Sequence, residues 1–363
     1  MRTRPRHIVA ALVAGLMTMP LAACGGNDET GADSFTVGLL LPSRALPRWE
    51  RFDKPLIEKR LKDLCPRCAM EYANADNDAM RQQQQMSSMI TKGVRVLILD
   101  AADTRVLRSS IQEARNAGVP VVAYDRLAEG PISGFVSFDG AQVGRLQGEA
   151  LLKAMGDRAK DRNVVMMNGD PASPNAAWFR KGAMSVLTGK VRIGRSYDTP
   201  GWTTDHAHAD MSAAIAAMGP GRIDGVLAAN DAIAAGAIAA LKSAGVRELP
   251  PVTGQDADLE ALRRIIKGEQ LMTVYKPFRA EAAAVAAMAV ALGRGGNAND
   301  VATTTVDSPT TKDIPAVLLA PRAVTVGTIK QTLVRDGVFT LGRICTPELR
   351  AACDKAGLGG GRS

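Results

Sequence analysis

Between Phe35 and about Thr340 short apolar runs alternate with amphipathic segments, and this alternation constrains the fold more than any other feature of the chain. "FTVGLLL", "AMEYANA", "VRVLILDA" and "VPVVAYDR" read as strands, while "RWERFDKPLIEKRLKDL", "DAMRQQQQMSSMITKG" and "TRVLRSSIQEARNAG" between them have a helical period. Parallel strands can be joined only through a crossover segment, so strand-helix alternation predicts parallel sheets covered by helices. A second series repeats the plan: "NVVMMNGD", "NAAWFRKGAMSVLTG", "VRIGRSYDT", "TTDHAHADMSAAIAAMG", "IDGVLAAND", "AIAAGAIAALKSAG" and "PPVTGQD". At 363 residues the chain exceeds what one core usually holds, so two α/β domains are expected.

An internal echo says that the two halves share one βαβ plan. "VRVLILDAADTRVLRSSIQEARNAGVPVVAYDR" and "IDGVLAANDAIAAGAIAALKSAGVRELPPVTGQDAD" have the same layout. In each, a strand ends on a polar residue (Asp100, Asn230), a helix closes with Ala-Gly-Val, and a Pro-led strand ends in Asp125 or Asp256. Open α/β sheets bind ligands at the carboxyl ends of their strands. Two such lobes facing each other would aim both sets of polar ends into one cleft.

The residues at those ends are Asp125, Arg126, Asn230 and Asp256, with Lys276 in "TVYKP". Carboxylate, guanidinium, amide and ammonium together suit a polyhydroxylated ligand, because a carboxylate accepts from vicinal hydroxyls and the cations donate to the same oxygens. Aromatics are only 4% of the chain, and Trp49 and Trp202 could lend flat faces to the C–H patches of a sugar ring. Each residue also has a plainer reading. Asp125-Arg126 could be a surface pair, Asn230 a helix N-cap, Lys276 a solvated lysine, and the two indoles core filling.

Other chemistries find little support. The formal charge of +8 is dispersed, with Arg2, Arg4 and Arg6 near the N-terminus, so no basic patch for nucleic acid is expected. No phosphate-cradling glycine loop follows a strand, and no Gly-x-Ser-x-Gly elbow or suitably spaced acid/base pair occurs. His206 and His208 are spaced i,i+2 on an expected helix and point apart. No metal site, no cofactor and no enzymatic activity are expected.

The first residues read as a leader. "MRTRPRH" is a basic region, "IVAALVAGLMTM" is apolar but short for a bilayer span, and "LAAC" follows. A signal peptide over 1–23, a lipidated Cys24 and a flexible tether over 24–34 are expected, in the pattern of bacterial lipoprotein signals. Four cysteines remain, and an even number outside the cytoplasm favours local disulfides, Cys65–Cys68 and Cys345–Cys353. "CPRC" could otherwise be redox-active or half a zinc site, but it follows a helix rather than opening one.

"RWERFDK", "VVAYDR", "FVSFDGAQVG", "NGDPASPNA", "AANDAIAAGAIAAL", "GQDADLEALRRIIKGEQLMTVYKP" and "KDIPAVLLAP" occur in an order and spacing that resembles the bacterial periplasmic sugar-binding proteins of ABC transporters, closest to those for D-xylose. That resemblance implies two Rossmann-like lobes with a three-segment hinge, the type I periplasmic binding protein architecture. Mapped onto this chain, the N-terminal lobe is 35–138 plus about 278–308. The C-terminal lobe is 139–277 plus about 309–340, and 341–363 form a disulfide-bearing tail. It also implies sugar contacts from Arg48, Trp49, Asp125, Arg126, Asn175, Phe179, Trp202, Asn230, Asp256 and Lys276. Implied partners are a monosaccharide such as D-xylose and an ABC transporter permease, with the monomeric protein held on the outer face of the cytoplasmic membrane, at the cell surface or in the periplasm, through the lipid anchor only. "LPSRALP" stands where the family typically carries acidic residues before "RW", which leaves the sugar open. Glucose or another sugar presented to a sensor or chemoreceptor, a repressor-like ligand-binding domain and a sugar-modifying enzyme are the other readings.

Overall fold

A computed structural model describes residues 34–359. The expected leader over 1–23, Cys24 and nearly all of the tether lie outside the described residues. The chain begins with β1 (Thr36–Leu41), a π-helical turn (Trp49–Asp53) running into α1 (Lys54–Leu64), β2 (Ala69–Asn74), α2 (Ala79–Thr91), β3 (Val96–Leu99), α3 (Arg108–Asn116), β4 (Val121–Tyr124) and β5 (Gly134–Phe138). It continues through α4 (Gly140–Met155), β6 (Asn163–Asn168), α5 (Pro174–Leu187), β7 (Arg192–Asp198), α6 (Thr204–Met218), β8 (Gly225–Ala228), α7 (Asp231–Ser243), α8 (Leu259–Ile266) and β9 (Thr273–Tyr275). Then follow α9 (Phe278–Gly293), β10 (Thr304–Val306), β11 (Ile314–Leu319), β12 (Arg322–Val324), α10 (Leu341–Ile344) and α11 (Arg350–Lys355).

The first sheet has seven strands in the order β10-β11-β5-β4-β3-β1-β2, parallel except for the edge pair β10–β11. Its central strands are buried at every position, as strands covered on both faces must be, which is why "VLIL" and "VVAY" are unbroken apolar runs. The second lobe holds the parallel sheet β7-β6-β8 and the antiparallel pair β12–β9. The expected strand "PPVTGQD" survives only as a bridge between Val226 and Val252. Pro250 and Pro251 have no N–H to give a ladder. The segment still spans β8 and β9, since Thr253 N–H donates to Val226 O at 3.1 Å and Leu271 N–H to Val252 O at 2.9 Å.

The echoed Ala-Gly-Val closings have one physical cause. Gly118 and Gly245 take φ of 72° and 80°, which a side chain resists. Val119 N–H then reaches Ala114 O at 2.9 Å, and Val246 N–H reaches Leu241 O at 3.1 Å, the same Schellman closure after α3 and α7.

Three strands of chain cross between the lobes: after β5 at Asp139, between β9 and α9 at Lys276-Pro277, and between β11 and β12 at Ala320-Pro321. This corrects one boundary. The stretch from 309, expected in the C-terminal lobe, stays in the first lobe through Leu319, because β11 pairs in parallel with β5 from Ala316–Phe135 to Leu319–Phe138. Apolar alternation marks "IPAVLL" as a strand without saying which sheet edge receives it. The tail is no loose extension over its described part. Ile344, Leu349, Cys353 and Leu358 are buried in one cluster with Phe278 and Val324, and Phe52 stacks on Phe278 at 5.2 Å while meeting Phe339 edge-on. The structure joins Cys65 to Cys68 and Cys345 to Cys353.

Candidate functional site

The echoed strand ends meet in space. Asp125 follows β4 and Asp256 follows the β8–β9 bridging segment, and both take left-handed backbone, φ 56° and 97°. Each is pinned by its own N–H, Asp125 to Val136 O and Asp256 to Val274 O, both at 2.9 Å. Non-glycine residues hold such conformations only where the surroundings over-determine them, as ligand sites do.

Between the lobes lies a small cavity. Every residue expected at the site lines it: Arg48, Trp49, Asp125, Arg126, Asn175, Phe179, Trp202, Asn230, Asp256 and Lys276. Leu46, Ser173 and Gln255 complete the wall. Gln255 is adjacent to Asp256, and Ser173 stands at the N-cap position of α5 ahead of Pro174 without a side-chain capping bond, so strand-end and cap signals could have found both. Lys276 is buried rather than solvated, and the two indoles belong to the hydrophobic core as well as lining the cavity. Asn230 is the N-cap of α7, its Oδ1 accepting from Ile233 N–H at 2.9 Å, and it also lines the cavity.

Close helix packing sets the aromatic wall. A Cβ on Gly144 of α4 would lie 1.9 Å from the Phe179 carbonyl oxygen, so glycine there lets α5 carry Phe179 to the cavity. Phe179 meets Trp202 edge-on at 6.1 Å. Trp202 itself has φ 58° and packs over Gly169.

Asp125 is paired through space rather than along the chain. Asp125 does not pair with its neighbour Arg126. It accepts from Arg48 Nη1 at 2.7 Å, Lys276 Nζ at 3.2 Å and Asn175 Nδ2 at 2.7 Å. Burial opposes its charged form, but Lys276, Arg48 and Arg126 outweigh that and hold the carboxyl well below the usual range. Arg126 donates to Ala101 O at 2.9 Å and lies 3.5 Å from Asp100. Asp256 Oδ1 is 3.3 Å from Lys276 and 3.8 Å from Arg48.

Arg48 is the keystone. Its guanidinium lies between the Trp49 and Phe278 rings, 4.3 and 5.1 Å from their centroids, and besides Asp125 it binds Asp53 and Glu281. Asp53, Tyr124 and Glu281 stand behind the wall and were missed by sequence reasoning. Arg48 and Asp53 are five residues apart, which an α-helix places on different faces. The π turn over Trp49–Asp53 has i→i+5 spacing and brings them together at 3.1 Å. Glu281 did leave a signal, a carboxylate on the buried stripe of the Ala-rich α9.

Five buried polar atoms of residues lining the cavity have no hydrogen-bond partner within the protein: Trp49 Nε1, Trp202 Nε1 and Ser173 Oγ can donate, while Asn175 Oδ1 and Gln255 Oε1 can accept; Asp256 Oδ1 has only its ion pairs with Lys276 and Arg48. Buried polar atoms are nearly always paired, so a concave group of both kinds is complementary to a ligand carrying both kinds, as hydroxyls do. Among the described residues no group of three or more His, Cys, Asp or Glu could hold a metal ion.

The periplasmic binding protein domain matches residues 37–297. The chain is 35% identical over 328 residues to the D-xylose-binding periplasmic protein of Escherichia coli (strain K12), spanning 89% of this chain and 96% of that protein. It is 34% identical to the multiple sugar-binding periplasmic protein SbpA of Azospirillum brasilense, over 92% of this chain and 96% of that one. A solved ABC transporter solute binding protein from Clostridium phytofermentans with bound β-D-glucose superposes with a TM-score of 0.79 at 30% identity, covering 85% of this chain and 99% of the other.

Proposed function

The chain belongs to the periplasmic binding protein family, and from that premise we propose that it captures one monosaccharide, D-xylose first among candidates, and delivers it to an ABC importer. It is a sugar-binding protein of that transport class, not an enzyme. The observation that carries the reading is the set of five unpartnered donors and acceptors on residues that line one cavity, the two indoles among them.

The mechanism is closure by differential affinity. Asn175 of α5 binds Asp125 of the first lobe, and Lys276 on the hinge binds both Asp125 and Asp256. A sugar that contacts residues of both lobes favours the closed arrangement over the open one, and only that difference shifts the population. The lipid anchor at Cys24, a permease partner and a monomeric state belong to the same proposal.

A second reading has specific support: the superposed Clostridium protein binds β-D-glucose, so glucose, taken up or presented to a receptor, competes with xylose as ligand. Calorimetric titration of the mature protein against pentoses and hexoses tests both. The reading expects saturable binding of at least one; no heat and no thermal shift with any sugar removes it, and a preference for glucose over xylose replaces the first ligand with the second.

A further inference from the structure

Behind the cavity wall is a buried carboxyl cluster. Asp53 and Glu281 are fully buried, as is Tyr124, and none of them lines the cavity. The donors around them are shared unequally. Asp53 accepts from Arg48 Nε at 3.1 Å, from Arg48 Nη2 at 3.1 Å and from the Tyr124 hydroxyl. Glu281 Oε2 accepts from Arg48 Nη2 and faces the Tyr124 hydroxyl at 3.3 Å, but Oε1 has no partner within the protein.

Charge leads to the same oxygen. The buried cations Arg48, Arg126 and Lys276 are outnumbered by the buried carboxyls Asp53, Asp100, Asp125, Asp256 and Glu281. A bare anionic oxygen in a dry interior costs far more than a neutral hydroxyl without an acceptor. Asp53 has a donor for each part of its charge and Asp125 has three partners, so the surplus falls on Glu281 and on Asp100, whose two oxygens also lack a hydrogen-bond partner but which lies away from Arg48's contacts, beside Arg126.

We propose that Glu281 is a positioning residue of the sugar site that works as the neutral acid, its proton on Oε1 and its Oε2 holding Arg48 so that Nη1 meets Asp125 at the cavity. The ligand class rests on the proposed function; the proton does not. The groups facing Glu281 are Arg48 from the loop before the π turn, Asp53 from that turn, Tyr124 and Asp125 from the end of β4, and Lys276 from the hinge. Burial pushes its carboxyl well above the usual range against the pull of Arg48, and Asp125 and Asp53 push it further. An ionised Glu281 would instead compete with Asp125 for Arg48 and leave the site with surplus negative charge.

The test compares Glu281→Ala and Glu281→Gln with wild type, by titration with xylose and glucose and by infrared difference spectroscopy at neutral pH. Removing the acceptor is expected to weaken binding about tenfold in the alanine variant, and glutamine, which keeps a neutral acceptor, recovers it to within about threefold. One component of the carbonyl absorption of protonated carboxyls should be present in wild type and missing from Glu281→Gln, while any contribution of Asp100 and Asp258, whose carboxyls burial also pushes up, is common to both spectra. Glutamine as weak as alanine, or no loss of that band, overturns the proposal. Should the alanine variant fail to fold, the glutamine variant and the spectrum decide. The band requires no sugar, so a wild type that binds none defeats the proposed function while the proton on Glu281 stands or falls by the spectrum alone.

Discussion

Replacing Asp125 by alanine removes the acceptor on which Arg48, Lys276 and Asn175 converge at 2.7, 3.2 and 2.7 Å. Breaking a buried ion pair by deleting one partner costs about 3–5 kcal/mol, because the surviving charge is left desolvated. Here Arg48 keeps Asp53 and Glu281, and Lys276 keeps Asp256 at 3.3 Å, so the low end applies. About 3 kcal/mol should therefore be missing from the unfolding free energy, while Kd loses the carboxylate's own charged bonds to a sugar, about 1.5–3 kcal/mol or roughly ten- to a hundredfold. Asp125→Asn keeps the shape and one acceptor but not the charge, and should fall between. The sign with pH follows from the depressed pKa of Asp125. Its contribution is complete above the unfolded value near 4 and is lost as pH falls through the folded one, so the variant's deficit is full at pH 7 and shrinks only in strong acid. Calorimetry on folded variants, with circular dichroism confirming the fold, measures the effect. Affinity within about threefold of wild type in Asp125→Ala would refute the claim that this carboxylate organises the site.

The other expectations concern the wall, the second strand end and the tail. Gly169→Ala places a Cβ 1.9 Å from the Trp202 ring, so the indole must shift; overpacking of about 1–2 kcal/mol should weaken sugar binding roughly tenfold and alter tryptophan emission, and unchanged titrations would show the ring is not a wall of the site. Asp258, beside Asp256, is pushed up to about 7, chiefly by burial and then by Asp256, against Arg264, Arg51 and Arg48. An acid whose folded pKa is raised stabilises below its unfolded value near 4 and loses that stability as pH rises toward 7. Asp258→Asn should therefore melt higher than wild type at pH 8 and show a flatter profile between pH 4 and 8; identical profiles would count against it. Cys345 and Cys353 close a short loop over a buried cluster, so Cys345→Ser with Cys353→Ser should lower unfolding free energy by about 2–3 kcal/mol in denaturant melts, and no shift would mean the packing alone holds the tail.

Much of the site was legible because strand ends are local signals. Asp125, Asn230 and Asp256 follow apolar runs, and the Ala-Gly-Val closings mark matched helix ends, so the paired lobes could be read from periodicity and punctuation. Arg48, Asn175 and Phe179 were reached through family resemblance instead, since nothing local distinguishes them. Asp53 was invisible for a stated reason: five-residue spacing joins two side chains only in a π turn, and no residue pattern in "RWERFD" announces one. The edge strand β11 was recognisable as a strand, but its place beside β5 was not.

The sequence by itself determined the parallel α/β lobes, the polar strand ends and the cysteine pairings, because these follow from periods and spacings within a few turns of chain. Tertiary structure alone decided that Asp125 would answer to Arg48, Asn175 and Lys276 rather than to Arg126 beside it. The reason is that burial strips water from all of these groups together, and a desolvated charge pairs with whatever the fold brings within reach, irrespective of distance along the chain.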